Sequence, residues 1–477
     1  MLEEPTWLPG LDEHFDPDRR HEGHTVVGTT FTAPALDDRA AGRVARAVRT
    51  AALAARTSRS TADVIQAVAT AATRLAEPED PYGRASIEAL RRASGYGADE
   101  AAEVLRRQAE GWTTAALARL IDSELGDAGY LDGAVHVGPL GRRRRAVGPP
   151  LIHLVLAGNV PGIAVTAVIR CLLVRSGVLC KLPAGEPWLV GLFARALHDA
   201  DAELARSLAA TWWPTPDPAA DAWTKQSGKV IVYGGEAAVR AYRASVPAST
   251  PLEVYGPRLG IVLLGSAVTD AELSGLARDA FAYDQAGCVS PRLVYVLSGS
   301  SREDAQPWVE DLLNRLAGAL SNQARVSALG PLTDGEAVAI REARSRLQFD
   351  REGGQVRGPV DLGWTILYRA RLGTYSEALP RVLWAYRASG VEELGSLPGV
   401  LEGRVQAMGI AGLEPAAESR AEELAVELGV SRLTGPGEMA WPPPDWRQDG
   451  RMQLLPLVRW TDFEPSPTEK VEPERGR

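Results

Sequence analysis

The chain has 477 residues, 45% of them hydrophobic and 24% charged, which is the balance of a soluble globular protein. Disordered, collagen-like and disulfide-scaffold classes are thereby excluded, and the length predicts roughly two to four structural units. A formal net charge of −9 argues against a nucleic-acid partner, whose phosphates need concentrated Lys and Arg.

Met1 leads into Glu3, Glu4 and Pro5, which does not read as a secretory leader. Residues 1 to about 35, rich in Pro, Asp, His and Gly, read as an irregular arm. From Asp37 to Leu120 the pattern is helical, with arginines alternating against apolar stripes as on amphipathic surface helices. Gly129 to Val147 is glycine-punctuated and reads as a hairpin-like excursion. Val147 to Ile169 holds no Asp, Glu, Lys or Arg and follows Arg142 to Arg145, the outline of a membrane anchor. Gly148-Pro149-Pro150 and Gly158-Asn159-Val160-Pro161-Gly162 interrupt it, however, so it reads as a buried strand, a turn and a buried helix and not as a membrane span.

Strands and helices then alternate. Strands are expected at LIHLVLAG, Gly177–Leu182, Lys229–Tyr233, Leu259–Leu264 and Leu293–Leu297. Helices are expected at Val160–Arg175, Pro187–His198, Glu236–Ala244, Ala271–Ala286 and Asp304–Leu320. This alternation predicts an α/β fold with a parallel sheet. Beyond Leu320 only short strands and glycine turns are legible, with a late strand expected at Met452–Val458. The Pro- and charge-rich end reads as a disordered tail.

Three cysteines without a CxxC pair or Cys/His cluster predict a reducing cytoplasm and no metal site. Cys171 and Cys180 lie within apolar helix and strand patterns and read as core residues. Cys288, in AYDQAGCVSPR, follows Gly287 at the end of a predicted helix and precedes Pro291. A thiol on such a turn can attack while its own N–H helps to hold an oxyanion; taken alone, a bland buried cysteine is the better reading. Asn159 falls between a strand and a helix, where its amide can donate to an oxyanion or simply cap the turn. Lys181 ends a strand, where an ammonium suits a cofactor ribose or phosphate or is simply solvated. Glu253 can act as base or relay, or be a surface carboxylate.

The order Asn159-x-Pro161, Lys181, Gly234-Gly235, Glu253, Cys288 resembles the aldehyde dehydrogenase superfamily. The wording of HLVLAGNVPG, LCKLPAGEPW, SLAATWWP, AYDQAGCVSPRLVYV and GVSRLTGPGEMAWPPPDWRQDG is similar to its acyl-CoA reductase (LuxC-type) branch, over about residues 130–464. The resemblance implies an aldehyde-dehydrogenase-like α/β fold: a Rossmann-like cofactor domain, a catalytic α/β domain and a small oligomerisation β element. Its segments would be 1–128 (arm and helical part), 129–147 (oligomerisation hairpin), 148–254 (cofactor-binding core), 255–445 (catalytic domain), 446–464 (oligomerisation strand) and 465–477 (tail). It implies Cys288 as nucleophile, Asn159 as oxyanion donor, Glu253 as base or relay, and Pro161, Lys181, Ala184, Gly234 and Gly235 on the cofactor side.

The implied reaction is reduction of an acyl thioester to the aldehyde through an acyl group on Cys288. NAD-preferring members often carry Glu where Ala184 stands, so NADPH is the expected cofactor and NADH the alternative. No Glu-x-Phe-Gly-Pro motif is found at 360–400, which favours the acyl-reducing direction. The expected partners are an acyl-CoA, acyl-carrier or acyl-protein thioester, an acyl-activating protein and further copies of the chain. The alternatives are an NAD(P)-dependent aldehyde or semialdehyde dehydrogenase and a non-catalytic scaffold.

Overall fold

The structure, a computed structural model, describes residues 2, 4–11, 16, 18–138, 141–215, 217–299, 302–327, 329–350 and 354–464. The expected tail at 465–477 lies outside the described residues.

The chain opens with a hairpin, β1 (Arg20–His24) and β2 (Thr30–Pro34), where an irregular arm was expected. Helices α1 (Asp38–Ser58), α2 (Thr61–Arg74), α3 (Pro81–Ser94), α4 (Ala98–Ala109), α5 (Thr114–Leu125) and α6 (Gly129–Asp132) follow. The alternating part runs β3 (Val135–Val137), β4 (Arg142–Val147), β5 (Leu151–Val155), α7 (Ile163–Leu173), β6 (Gly177–Lys181), α8 (Leu189–Ala200), α9 (Ala202–Ala205) and β7 (Leu208–Thr211). It continues α10 (Pro218–Gln226), β8 (Lys229–Tyr233), α11 (Glu236–Ser245), β9 (Leu252–Tyr255), β10 (Leu259–Leu264), α12 (Asp270–Phe281) and β11 (Pro291–Leu297). The rest is α13 (Arg302–Val326), α14 (Asp334–Gln348), β12 (Gln355–Arg357), β13 (Thr365–Arg369), β14 (Val382–Ala388), α15 (Pro398–Leu401), β15 (Val405–Ala411), α16 (Pro415–Glu427), β16 (Arg432–Thr434) and β17 (Arg459–Phe463).

Two compact units emerge. The first comprises residues 1–89, 102–256 and 452–477; the second comprises 90–101 and 257–451. The first unit holds a five-stranded sheet in the order β7-β6-β5-β8-β9, parallel throughout. Val44 and Val48 of α1 pack with Leu151, Leu179 and Trp223 in its core. Asp37 starts α1 by accepting from the Ala40 amide at 2.7 Å, which satisfies an otherwise orphaned donor. The same unit carries a three-stranded sheet, β17-β4-β3, in which Arg459 pairs with Val147 and Phe463 with Arg143. The late strand therefore starts at Arg459. The apolar run before it instead buries Leu454 and Leu457.

The second unit is built on a seven-stranded sheet, β12-β13-β14-β11-β10-β15-β16, parallel except at β12. Side chains alternate across it. Ile261, Leu263, Leu293 and Tyr295 face one core with Trp384 and Leu424. Val262, Leu264, Val294 and Val296 face the other, against Leu276 of α12 and Leu312 of α13. No helix among the described residues is long and apolar enough to cross a membrane.

Candidate functional site

In the first unit, the carboxyl edge of the parallel sheet gathers most of the polar residues singled out above. β6, β5 and β8 are neighbours. The strand-end Lys181, the loop carrying Asn159 and Pro161, and the Gly234-Gly235 turn therefore share one edge, where open α/β sheets bind ligands. Asn159 is exposed and Pro161 buried. Gly162, at φ +85°, delays α7 until Ile163, so the helix begins three residues later than its apolar pattern predicted. A Cβ on Gly158 would lie within 3.0 Å of the Glu186 amide, Gly185 and Pro183. The Asn159 loop and the Ala184 loop thus touch backbone to backbone.

Lys181 Nζ donates to Thr215 Oγ1 at 3.3 Å and stands 5.9 Å from the Trp213 ring. Burial lowers its pKa from the ordinary lysine value, and Asp217 opposes this. Gly235 precedes α11 without a side-chain cap, and a Cβ there would meet open space. The first amides of α11 are thus available to an anion. Glu186, two residues past Ala184, is a feature that the sequence reading missed. It is buried, its Oε1 accepts from the Trp188 and Leu189 amides at 2.9 Å each, and its Oε2 has no hydrogen-bond partner among the described residues. Burial pushes its carboxyl up to about 7, with the two amides opposing.

Glu253 is not a surface carboxylate. It lies in β9 opposite Ile231 of β8, with 7% of its surface exposed. Its Oε2 lies 2.7 Å from Lys229 Nζ, while its Oε1 accepts from the Tyr255 hydroxyl at 2.5 Å. Lys229 directs its hydrogen bond to the Pro456 carbonyl, also at 2.7 Å. Tyr255 stacks on Tyr233, with ring centroids 4.5 Å apart. Beside this cluster Arg170, Cys171 and Gln453 help to line a cavity of about 10 Å³, the room of roughly one water. Lys229 and Tyr255 were not foreseen, because the register that sets them against Glu253 is a tertiary feature.

In the second unit, Cys288 lies on the loop between α12 and β11, at the amino end of that strand. It is partly exposed, whereas Cys171 and Cys180 are buried at 1% and 0%. Tyr283, Asp284 and Gln285, just upstream, have φ of 56°, 47° and 66°. Each left-handed L-residue costs about 1–2 kcal/mol, so such a run persists only where its surroundings over-determine it. The ties are visible. The Gln285 side chain donates to the Pro291 carbonyl and accepts from the Val382 amide. Asp284 pairs with the buried Arg381 at 2.6 Å, and Tyr283 packs on Trp441. Inside the loop the Gly287 amide donates to Ser290 Oγ at 3.1 Å.

Burial pushes the Cys288 thiol up to about 11; Asp449 adds to this, while the loop's backbone, Arg292 and Arg258 oppose it. Asp449 is itself paired with Arg258 at 3.2 Å and Arg451 at 3.0 Å. At neutral pH the group is therefore a thiol. The Cys171 thiol is pushed to about 12 by burial and that of Cys180 well above the ordinary range. Among the described residues no group of three or more His, Cys, Asp or Glu side chains could hold a metal ion.

Residues 57–460 match the model of the family described as acyl-CoA reductase (LuxC). A long-chain acyl-protein thioester reductase of Aliivibrio fischeri is 25% identical over 292 residues, 60% of this chain and 58% of the relative. The match thus spans less than two thirds of that relative's length. Among solved structures, aldehyde dehydrogenase 21 of Physcomitrella patens superimposes with a TM-score of 0.75 at 12% identity, covering 98% of this chain and 99% of that one. Aldehyde dehydrogenase C of Pseudomonas syringae, solved as a mutant complexed with NAD+ and octanal, gives 0.73 at 13% identity, covering 97% of each. The fold is that of the aldehyde dehydrogenases.

Proposed function

The chain belongs to the acyl-CoA reductase (LuxC) family, and from that premise we propose that it reduces a fatty-acyl thioester to the aldehyde with NADPH, through an acyl group carried on Cys288. The observation that carries this reading is the setting of Cys288. Of the three cysteines it is the one that reaches the surface, on a loop tied at its neck.

The Cys288 sulfur attacks the thioester carbonyl, a new carbon–sulfur bond forms, and the old one breaks. The proton of the Cys288 thiol leaves with the departing sulfur, so one thiol replaces another and the acyl group stays activated. Because burial holds Cys288 protonated at neutral pH, that proton moves as the bond forms. The Cys288 backbone N–H is the oxyanion donor that the loop itself supplies, and the family resemblance gives the Asn159 amide the same role. A reduced nicotinamide, when bound, would supply the hydride that releases the acyl group as the aldehyde, the acyl carbon–sulfur bond breaking and a proton from solvent returning to the Cys288 sulfur.

The carboxyl edge of the first unit fits such a cofactor. Lys181 supplies a cation there, α11 begins uncapped, and Gly235 faces open space. Ala184 offers no carboxylate to chelate a ribose, and Glu186, two residues on, is buried with its Oε1 held by the Trp188 and Leu189 amides. A 2′-phosphate would therefore meet the Lys181 cation without a carboxylate at position 184, which favours NADPH over NADH.

Aldehyde oxidation is the second reading, because the fold is shared with dehydrogenases. It requires a base to activate water against the acyl-enzyme. Glu253, to which the family resemblance gives that role, is engaged by Lys229 and Tyr255, which favours reduction. By extension from the relatives, the acyl donor is an acyl-protein thioester, with acyl-CoA and acyl-carrier thioesters as alternatives. An acyl-activating protein would supply it in the cytoplasm. Copies of the chain would join through the β17-β4-β3 sheet.

The test is intact-mass measurement after incubation with an acyl-CoA. A single acyl adduct on Cys288, discharged by NADPH with release of aldehyde, supports the reading. An unmodified protein, or NAD+-dependent aldehyde oxidation without a thiol acceptor, overturns it.

A further inference from the structure

The loop that carries Cys288 is anchored from the start of β14, by two residues that no motif marks. Arg381 is 1% exposed. One guanidinium nitrogen lies 2.6 Å from Asp284 Oδ1 and another donates to the Ser327 carbonyl at 2.9 Å, and the group sits 4.0 Å over the Phe281 ring. Asp284 is the middle of the three left-handed residues, and its other oxygen accepts from the Gly330 amide at 3.3 Å. The neighbouring Val382 amide donates to Gln285 Oε1 at 2.7 Å, and Gln285 Nε2 reaches across to the Pro291 carbonyl. Residues 286–290 are therefore a closed loop, pinned at the neck by Gln285 and held from β14 through two successive residues.

We propose that Arg381 is a positioning residue for Cys288: through Asp284 and the Gln285 neck it holds the 286–290 loop in the conformation that presents the sulfur to an acyl carbonyl. The proposal rests on the reading that Cys288 is the acyl carrier. A desolvated guanidinium can do this where a surface ion pair could not. Its partner carboxylate is only 20% exposed, and the left-handed backbone relaxes as soon as the tie is lost. Gln285 serves the same end from the other side, because its amide alone can donate to Pro291 and accept from Val382 at once.

The experiment compares the full-length wild type with Arg381→Met, Arg381→Lys, Asp284→Gly and Gln285→Glu. Acyl transfer from an acyl-CoA and alkylation by iodoacetamide are both followed at Cys288 by mass spectrometry across pH, with folding checked by circular dichroism. In Arg381→Met, acyl transfer should fall by about tenfold to a hundredfold with little change in KM, as for a reacting atom misplaced by about 1 Å. The alkylation midpoint should fall from about 11 toward that of a solvated thiol as the loop opens. Arg381→Lys should recover most of the acyl transfer.

Should Arg381→Met fail to fold, Asp284→Gly decides. Glycine accepts φ +47° without strain yet removes the tied carboxylate, so the same pair of changes is expected in a folded protein. Gln285→Glu, which loses the donor and keeps the acceptor, should behave alike. Acyl transfer within about twofold of wild type in folded Asp284→Gly and Gln285→Glu, with an unmoved alkylation midpoint, overturns the proposal. If wild-type Cys288 takes no acyl group, the functional reading fails on its own, and the alkylation midpoint still tests the anchor.

Discussion

Lys229 and Glu253 stand at the first position of β8 and the second of β9, and their charged ends meet at 2.7 Å beneath α7, each side chain exposed by no more than a tenth. The pair is out of water, so its Coulomb attraction only offsets the cost of desolvating two ions, and losing one partner is far worse than losing both. Lys229→Met is expected to lower the unfolding free energy, measured by urea titration, by about 3–5 kcal/mol. Lys229→Met with Glu253→Gln should regain about half of that loss, because no charge is left unpaired. A single-mutant loss below about 1 kcal/mol would mean that the pair behaves as a solvated one.

Replacing Glu253 alone separates its two suggested uses. Because Glu253 is engaged by Lys229 and Tyr255, Glu253→Gln should leave acyl transfer, reduction and the hydrolysis of the acyl-enzyme in the absence of NADPH each within about threefold of wild type. Rapid-quench assays that follow acid and aldehyde separately would read both. Loss of reduction together with hydrolysis would instead assign Glu253 to the acyl-transfer step.

Burial that pushes the Cys288 thiol to about 11 has a kinetic sign. Iodoacetamide reacts with the thiolate alone, and below the pKa the thiolate fraction grows about tenfold per pH unit. Alkylation by iodoacetamide without substrate should therefore keep rising from neutral pH to beyond pH 10. A plateau near the ordinary thiol value of about 8.5 would show that the loop is hydrated. The same shift bears on stability. The folded state holds this proton to a higher pH than the unfolded chain, so its contribution is complete below the unfolded pKa and disappears as pH rises to about 11.

Glu186 carries a similar signature in the acid range. Its carboxyl is raised to about 7 by burial, so the folded protein binds a proton that the unfolded chain has released. The stability that this contributes is present below the unfolded carboxylate pKa and lost as pH rises through about 7. Glu186→Gln keeps an oxygen for the Trp188 and Leu189 amides and removes the charge. Thermal unfolding above pH 7 should then show a gain of up to roughly 3 kcal/mol, shrinking toward zero at acid pH. An equal change at every pH would exclude the ionisation as its cause.

The Ala184 loop offers a test of cofactor choice. Ala184→Glu places a carboxylate beside the Gly158 turn and should lower kcat/KM for NADPH by about tenfold while affecting NADH far less. Lys181→Met should weaken NADPH more than NADH. Equal losses for the two cofactors in both variants would remove Lys181 and Ala184 from phosphate discrimination.

Some elements were legible because one physical signal dominated them. KVIVY and LGIVLL are continuous apolar runs buried on both faces, and β8 and β10 have the bounds that their runs predict. α14 was hidden, because DGEAVAIREARSRLQ buries only a narrow stripe of Ile340, Ala343 and Leu347, and its mixed charges read as surface. β7 is a four-residue LAAT, too short for a pattern. β17 is mostly exposed and charged, so its place is set by pairing with β4, and the stronger apolar signal just before it drew the expected strand too early.

The sequence by itself determined the α/β class, the family, and the identity of Cys288, Lys181 and Asn159 as residues worth following. Each of these depends on residue type and spacing along the chain. Only the tertiary structure decided the state of those groups. That Cys288 is a protonated thiol on a pinned loop, that Glu253 is engaged by Lys229 and Tyr255, and that Arg381 holds Asp284 all depend on desolvation and on partners that the fold brings together. Burial and register arise when strands pair and helices cover them, and no local pattern encodes either.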